Sequence, residues 1–171
     1  MEKKTLVWLA ASLLVFMVFG SVNTVMAQLV EVTNAQLVGE APTIVRGEVT
    51  AQRSEWNDEQ TFIWTFVTMT VTETLKGSDV TGQEIEVKIP NGTVGEITQM
   101  SSNQVAFQEG EDALVFLGTE TYKGESYYNV VRLSQGKFSF EGGEVSGALT
   151  AAVTAEEFMA AIRQLVRDQQ D

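Results

Sequence analysis

The chain has 171 residues, of which 44% are hydrophobic and only 2 are proline. This length and balance suit one folded domain with a sizeable core, and they exclude an intrinsically disordered chain. The formal net charge of −12 disfavours nucleic acid as a partner, because phosphate binding requires a concentrated basic surface. Acidity of this kind commonly serves solubility.

The chain contains no cysteine and no histidine. A Ser-His-Asp triad, a thiol nucleophile and a zinc site with imidazole or thiolate ligands are therefore excluded. Without disulfides, an exported protein must be held together by its core. We expect no cofactor and no catalytic residues, while an enzyme that uses only paired carboxylates stays open as an alternative.

The N-terminus has the three parts of a secretory signal peptide. Two lysines form the basic start, an apolar run spans residues 6–19, and small and polar residues follow up to Ala27. Cleavage between Ala27 and Gln28 would leave a single exported domain, residues 28–171, that is secreted or periplasmic. An uncleaved membrane anchor is the alternative, because the apolar stretch approaches the length of a bilayer span.

A short helix and a first strand are predicted at the start of this domain. Residues 34–41 place several apolar side chains on one side of a helix, which Pro42 ends. Residues 43–51 then alternate between polar and apolar side chains, as in a strand with one buried face. Gly47, in the middle of that strand, indicates a bulge or the close approach of another backbone.

The run TFIWTFVTMTVTETLKG, residues 61–77, predicts a long strand. Phe62, Trp64 and Phe66 would share one face, and Val67 begins an apolar series on the other. This change of phase predicts a bulge or sharp bend, so that one strand serves two sides of a curved sheet. The threonines of the run would form its outward face.

Further segments complete the predicted sheet. Strands are expected at residues 84–90, 113–117, 127–133 and 137–140. Asn91-Gly92-Thr93 fits both a turn and a glycosylation sequon, and the turn is favoured because it directly follows a strand. Residues 93–111 are interpreted as a long connection with one short strand, and residues 141–147 as a flexible stretch.

The C-terminal segment predicts an amphipathic helix over about residues 154–168. Thr154 and Glu157 have the spacing of a capping box, which satisfies the first free amide donors of a helix. Apolar side chains at helical spacing then form one stripe. With a short N-terminal helix, five or six strands and this helix plugging one end, the sequence predicts a mainly β fold, a small OB-like closed or partly open β-barrel.

The order of the segments resembles an uncharacterised exported bacterial domain of the kind found near matrixin-type metalloproteases. The resemblance extends from about residue 37 to residue 140 and rests on five segments: PTIVRGEVTAQRSEW, TFVTMTVTETLKG, EIEVKIPNGTVG, VAFQEGEDALVFL and LSQGKFSF. It implies a single extracytoplasmic β domain and brings no established activity.

A more distant likeness is to netrin-like domains and tissue inhibitors of metalloproteases. Their curved, five-stranded OB barrel also has an LKG-like turn and a GE..LVFL-like strand. Those inhibitors act through an N-terminal cysteine whose amine and carbonyl reach the catalytic zinc of the protease. This chain would begin with Gln28 and has no cysteine, so the likeness does not transfer that mechanism.

The candidate ligand-binding residues are three aromatic side chains in or beside polar turns, Trp56, Tyr122 and Tyr127. Aromatic side chains exposed in loops are good anchors for a partner, although each could equally fold back over the end of the sheet. We therefore predict a non-catalytic extracytoplasmic binding module. Its first expected partner is another extracytoplasmic protein.

Two acidic turns leave other functions open. Asp58 and Glu59 form one turn, and Glu111 and Asp112 belong to the other. They offer the oxygen donors that calcium prefers, but neither turn has the spacing of an EF-hand loop. The alternatives are a calcium-stabilised surface structural protein and a carboxylate-based enzyme acting on a cell-envelope polysaccharide.

Overall fold

The computed structural model describes residues 32–147 and 153–170, and the predicted signal peptide with its cleavage site at Ala27 lies outside them. The described residues confirm a mainly β fold with a short first helix and a C-terminal helix. In chain order the elements are helix α1 (Asn34–Glu40), β1 (Thr43–Trp56), β2 (Ile63–Lys76), β3 (Glu84–Pro90), β4 (Gly92–Val94), β5 (Ile97–Gln99), β6 (Asp112–Tyr122), β7 (Glu125–Val130), a 3-10 turn (Leu133–Gly136), β8 (Lys137–Glu141), β9 (Glu144–Gly147) and helix α2 (Ala155–Asp168).

Five of the strands follow one another around a ring. The order is β1, β2, β3, β7, β6 and back to β1, and all neighbours are antiparallel except β3 and β7. Strands β3 and β7 are parallel and share one bridged pair, Val87 with Tyr128. The sheet is therefore partly ring-like, and the β8–β9 hairpin extends it from β6.

The long β1–β2 pair gives the sheet its curvature. The register between the two strands shifts at three points, and such irregularities bend and twist a strand pair. Gly47 lies at one of them, where an added Cβ atom would be 2.5 Å from the carbonyl oxygen of Thr70. The predicted close approach of another backbone at Gly47 is confirmed.

The predicted change of phase in β2 is found, but not between Phe66 and Val67, where the alternation is unbroken. It lies at Thr72, which the register with β1 skips, so that Val71 belongs to the inner core while Leu75 packs against the outer one. Val67, Met69 and Val71 belong to the core inside the ring. Trp64 and Phe66 therefore lie on the outer side, with Thr68 and Thr70. Phe66 is only 1% exposed because other side chains cover it from outside, which made its side of the strand look like a core.

Two apolar cores lie on opposite sides of the sheet. The inner core fills the ring and consists of Val45, Val49, Val67, Met69, Val71, Ile85, Val87, Ile89, Val105, Phe107, Ala113, Val115, Leu117 and Val130. The outer core lies between the sheet and both helices and consists of Val32, Leu37, Val38, Ala41, Ile44, Leu114, Phe116, Phe138, Val145, Phe158, Met159, Ile162 and Val166. Helix α2 thus covers the outside of the sheet and does not plug the ring. Two side chains from the connection before β6, Val105 and Phe107, complete the inner core in place of the helix.

Helix α2 is fixed at its start and along its side. The predicted capping box is confirmed, with Thr154 accepting the N–H of Glu157 while the carboxylate of Glu157 accepts the N–H of Thr154. Arg163 forms two hydrogen bonds with the carboxylate of Glu73 on β2, at 2.8 and 2.7 Å. Within the described residues, neither helix has the length and apolar character needed to span a bilayer.

Two connections, residues 141–147 and residues 91–93, differ from the sequence prediction. Residues 141–147, predicted to be flexible, form most of the β8–β9 hairpin, which turns at Gly142 and Gly143 with both glycines at positive φ. Asn91 has a φ of 73°, is 5% exposed and donates its side-chain amide to Ser101. Gly92 and Thr93 belong to β4, and the turn lies after that strand, at Gly95 and Glu96, and not at Asn91-Gly92 as predicted. The buried side-chain amide of Asn91 is not available to a glycan.

Replacing Gly47 with alanine should destabilise the protein by about 1–3 kcal/mol, because the new methyl group would collide with the backbone of β2. The control is Gly39→Ala in helix α1, where an added Cβ would have only side-chain atoms of Gln169 at 3.6 Å and beyond. That variant should be about 0.5–1 kcal/mol more stable than the wild type, because glycine disfavours helix. Urea unfolding measures both, and equal effects would contradict the close approach at Gly47.

The pair between Glu73 and Arg163 should make stability depend on pH. Hydrogen bonds from Arg163 lower the pKa of Glu73 below its ordinary value of 4.5. Because the folded pKa is the lower one, the stabilisation is present above the unfolded pKa and is lost as the pH falls through the folded pKa. Glu73→Gln should therefore be less stable than the wild type at pH 7, and the difference should narrow towards pH 3 in urea unfolding. A difference that does not change with pH would contradict this linkage.

Candidate functional site

Two of the three predicted aromatic residues meet on the outer side of the ring. Tyr122 ends β6 and Tyr127 lies on β7, and their ring centroids are 6.3 Å apart. Trp56 is the last residue of β1. Ser54, two residues earlier and so on the same side of the strand, hydrogen-bonds through its hydroxyl to that of Thr65 on the inner side of the sheet. Strand alternation places Trp56 away from the two tyrosines, and no ring contact among the described residues involves it.

Three aromatic side chains from β2 and the loop before it complete the cluster. Trp64 lies 6.1 Å from Tyr122, Phe66 lies 5.1 Å from Tyr127, and Phe62 lies 4.7 Å from Trp64, all between ring centroids. We name these five side chains the aromatic face. The sequence analysis recognised the aromatic side chains of β2 as a run with a spacing of two. It did not predict that they belong to a binding surface.

The register of the strands assembles the aromatic face. Trp64 pairs with Pro90 and Phe66 with Lys88 across β2 and β3, while Tyr127 pairs with Glu120 across β7 and β6. Because side chains alternate along each strand, all of these point outward. Closure of the ring between β3 and β7 then brings the two groups together.

Lys88 occupies the centre of the aromatic face and is only 4% exposed. Its Nζ lies 3.4 Å from the ring centre of Trp64 and 4.3 Å from that of Tyr122. The same atom is 2.5 Å from a carboxylate oxygen of Glu120. A buried ammonium requires such partners, which here are one carboxylate and the negative faces of two aromatic rings.

Arg53 covers the aromatic face from the β1 side. Its guanidinium carbon is 4.1 Å from the ring centre of Phe66. The guanidinium also pairs with Glu55 at 3.2 Å and with Glu86 at 3.0 Å. A second cation of the protein is therefore held between an aromatic ring and carboxylates.

Two hairpin loops border the aromatic face. In the β1–β2 loop, Oδ1 of Asn57 accepts the backbone N–H groups of Thr61 and Phe62 at 2.8 and 2.9 Å. Asp58 pairs with Lys123 of the β6–β7 loop at 2.7 Å, and this hydrogen bond raises the pKa of Lys123. Because the pair is largely exposed it adds little stability, but it holds the two loops side by side.

The second acidic turn lies apart from the aromatic face. Glu111 and Asp112 line a cleft of about 610 Å³ between the connection before β6 and the β8–β9 hairpin. Glu111 accepts hydrogen bonds from Lys137 and Ser139, and Asp112 pairs with Arg46 at 2.6 Å. Both carboxylates of this turn are thus engaged with the protein itself.

The four calcium candidates do not form one site. Asp58 pairs with a lysine, Glu59 accepts the side-chain amide of Asn57 at 2.8 Å, and Glu111 and Asp112 lie in the separate cleft. Within residues 32–147 and 153–170, no three acidic side chains are grouped so that they could hold a metal ion. Calcium binding and carboxylate catalysis stay predictions from the sequence.

Every basic side chain in the described part of the chain has a protein partner. Ion pairs join Arg46 to Asp112, Arg53 to Glu55 and Glu86, Lys88 to Glu120, Lys123 to Asp58, Arg132 to Glu40, Lys137 to Glu111, and Arg163 to Glu73. Hydrogen bonds join Lys76 to the carbonyl of Val38 and Arg167 to Gln164. Seven of these nine basic side chains therefore have a carboxylate partner, whereas Lys76 and Arg167 donate only to uncharged oxygens.

Reversing the charge of Lys88 should destabilise the protein far more than reversing that of Lys123. Lys88→Glu would bury a carboxylate beside Glu120, for which we expect a cost of about 3–5 kcal/mol. Lys123→Glu changes an exposed pair beside the same Tyr122 ring and should leave the urea midpoint close to that of the wild type. Similar midpoints for the two variants would contradict the buried role of Lys88.

The comparisons with known proteins identify no relative: no model of a known family matches the chain, and neither does any curated protein. The resemblances drawn from the sequence therefore stay predictions. Since one fold serves many functions, the fold alone does not identify a ligand. The functional interpretation consequently depends on the residues of the aromatic face.

Proposed function

We propose that the protein is a non-catalytic, extracytoplasmic binding module that contacts a partner protein through the aromatic face. The observation that carries this proposal is the concentration of tryptophan, tyrosine and arginine on one side of the ring. These residue types dominate the binding energy of protein interfaces. Phe62, Trp64, Tyr122 and Tyr127 are half-buried, so part of each residue is exposed to a partner, while Phe66 is buried among them.

The rigidity of the aromatic face supports the proposal. Trp64, Phe66 and Tyr127 project from paired strands, and their rings pack against one another. Side chains that are already fixed lose little conformational entropy when a partner binds. A surface built in this way is suited to recognition without rearrangement.

The position of the aromatic face within the ring also supports binding. In OB-type barrels, ligands are held by the side of the second and third strands and by the loops after the first and fourth strands. Here β2 and β3 carry Trp64, Phe66 and Lys88. The β1–β2 and β6–β7 loops, which are the corresponding loops of this ring, border them.

Capture of a partner tests the proposed function. The purified protein serves as bait for the extracytoplasmic fraction of the source organism, and bound proteins are identified by mass spectrometry. We expect the wild type to retain a specific protein that Trp64→Leu and Tyr127→Ala lose, because each removes a ring of the contact surface. Trp56→Leu, which lies away from the aromatic face, is the matched control and should retain the partner.

Unfolding curves show which variants are folded, so that loss of capture is not confused with loss of structure. If both aromatic-face variants retain the partner as tightly as the wild type does, the partner binds to another surface of the protein. A capture with no specific protein would contradict the proposed protein-binding function.

A further inference from the structure

We infer that the aromatic face recognises a basic partner, a protein segment that presents arginine or lysine side chains. This inference rests on the proposed function and adds the chemistry of the partner to it. Three independent features of the described residues support it: the charge around the aromatic face, the pairing of the protein's own cations, and the rings that remain uncovered.

Carboxylates outnumber cations on the outer side of the strands that carry the aromatic face. On the outer side of β1, β2, β3, β6 and β7 the cations are Arg46, Arg53, Lys76 and Lys88. The carboxylates, assigned to the same side by strand alternation and register, are Glu48, Glu55, Glu73, Glu84, Glu86, Asp112, Glu120 and Glu125. The field around the rings therefore attracts cations, and a complementary partner surface is basic.

An anionic partner would find no cation ready to receive it on this side. Arg53 is shared between Glu55 and Glu86, Lys88 is buried against Glu120, and Lys123 is paired in the loop. Binding of a phosphate, an acidic glycan or an anionic lipid surface depends on free lysine or arginine side chains. This side of the described surface therefore favours a positively charged partner.

Two rings of the aromatic face are still free to receive a cation. Lys88 lies over Trp64 and Tyr122, and Arg53 lies over Phe66, whereas no cation of the described residues covers Phe62 or Tyr127. Guanidinium groups bind well to such ring faces.

The free ring of Tyr127 is also next to carboxylates. Glu125 lies two residues away on the same side of β7, and Glu120 is opposite in the register. Glu125 is exposed and forms no ion pair among the described residues. The arrangement matches the one that already holds Lys88, with an aromatic face and a carboxylate around one positive group.

Titration with a defined peptide tests the inference. The probe is a capped decapeptide with four arginines separated by glycine and serine, and its control has citrulline at the same positions, which keeps the shape and removes the charge. We expect calorimetry to show binding of the arginine peptide at 0.05 M salt, weakened about tenfold at 0.5 M salt and about tenfold by citrulline. Equal affinities for the two peptides would overturn the inference.

Paired variants separate the aromatic face from the overall negative charge. Glu84→Gln with Glu125→Gln removes two unpaired carboxylates from the outer side of the ring, and Glu96→Gln with Glu156→Gln removes two exposed carboxylates elsewhere. We expect the first pair, but not the second, to weaken the arginine peptide about tenfold. Equal losses would mean attraction to net charge alone and would overturn the inference.

The captured partner distinguishes failure of this inference from failure of the proposed function. If Trp64→Leu abolishes capture while 0.5 M salt and the variant with Glu84→Gln and Glu125→Gln leave it unchanged, the binding function holds and the basic partner is wrong. If no captured protein depends on Trp64, the proposed function itself is wrong. Capture that weakens with salt and with that double variant supports both.

Discussion

Strand β1 is the element on which the rest of the structure depends, because its residues 44–48 lie in a stretch that is paired with a neighbouring strand along both edges. One edge pairs with β2 and the other with β6, so β1 joins the two halves of the ring. The same segment sends Val45 into the inner core and Ile44 into the outer core under the helices. Gly47 allows β2 to come close enough for this, since any side chain there would meet the backbone of Thr70.

The aromatic face follows from that closure and from a shortage of cations. Once the ring brings β6 and β7 beside β3, aromatic side chains of distant segments come together around one lysine. The protein places Lys88 and Arg53 over its own rings and between its own carboxylates. Internal neutralisation of this kind stabilises a partly apolar outer surface, and it leaves a surrounding field that is negative.

Local patterns were sufficient to predict much of the fold. The strand at residues 84–90, the close approach at Gly47 and the capping box at Thr154 depend on near neighbours in the chain, and all three are found. A strand pattern, however, specifies two sides without specifying what covers each. The aromatic run of β2 therefore predicted the change of phase too early, at Phe66, because the aromatic side chains lie on the outer side of the sheet beneath Tyr122 and Tyr127.

For the same reason the candidate site was only half predicted. Tyr122 and Tyr127 are joined to Trp64 and Lys88 by the ring topology, across separations in the chain that no local spacing reports. Trp56 looked equivalent to them because it also lies beside a polar turn, yet its position at the end of β1 sends it to the other side. Composition identified the useful residue types, and topology decided which of them meet.

The aromatic face lies across the weakest join of the ring, and this connects recognition to folding. Strands β3 and β7 share one bridged pair, and beyond it the two sides are held by Lys88 with Glu120 and by contacts between rings. A partner that contacts both Trp64 and Tyr127 would bridge the two sides of this join and hold them together. By thermodynamic linkage, the free energy of such binding adds to the stability of the closed ring.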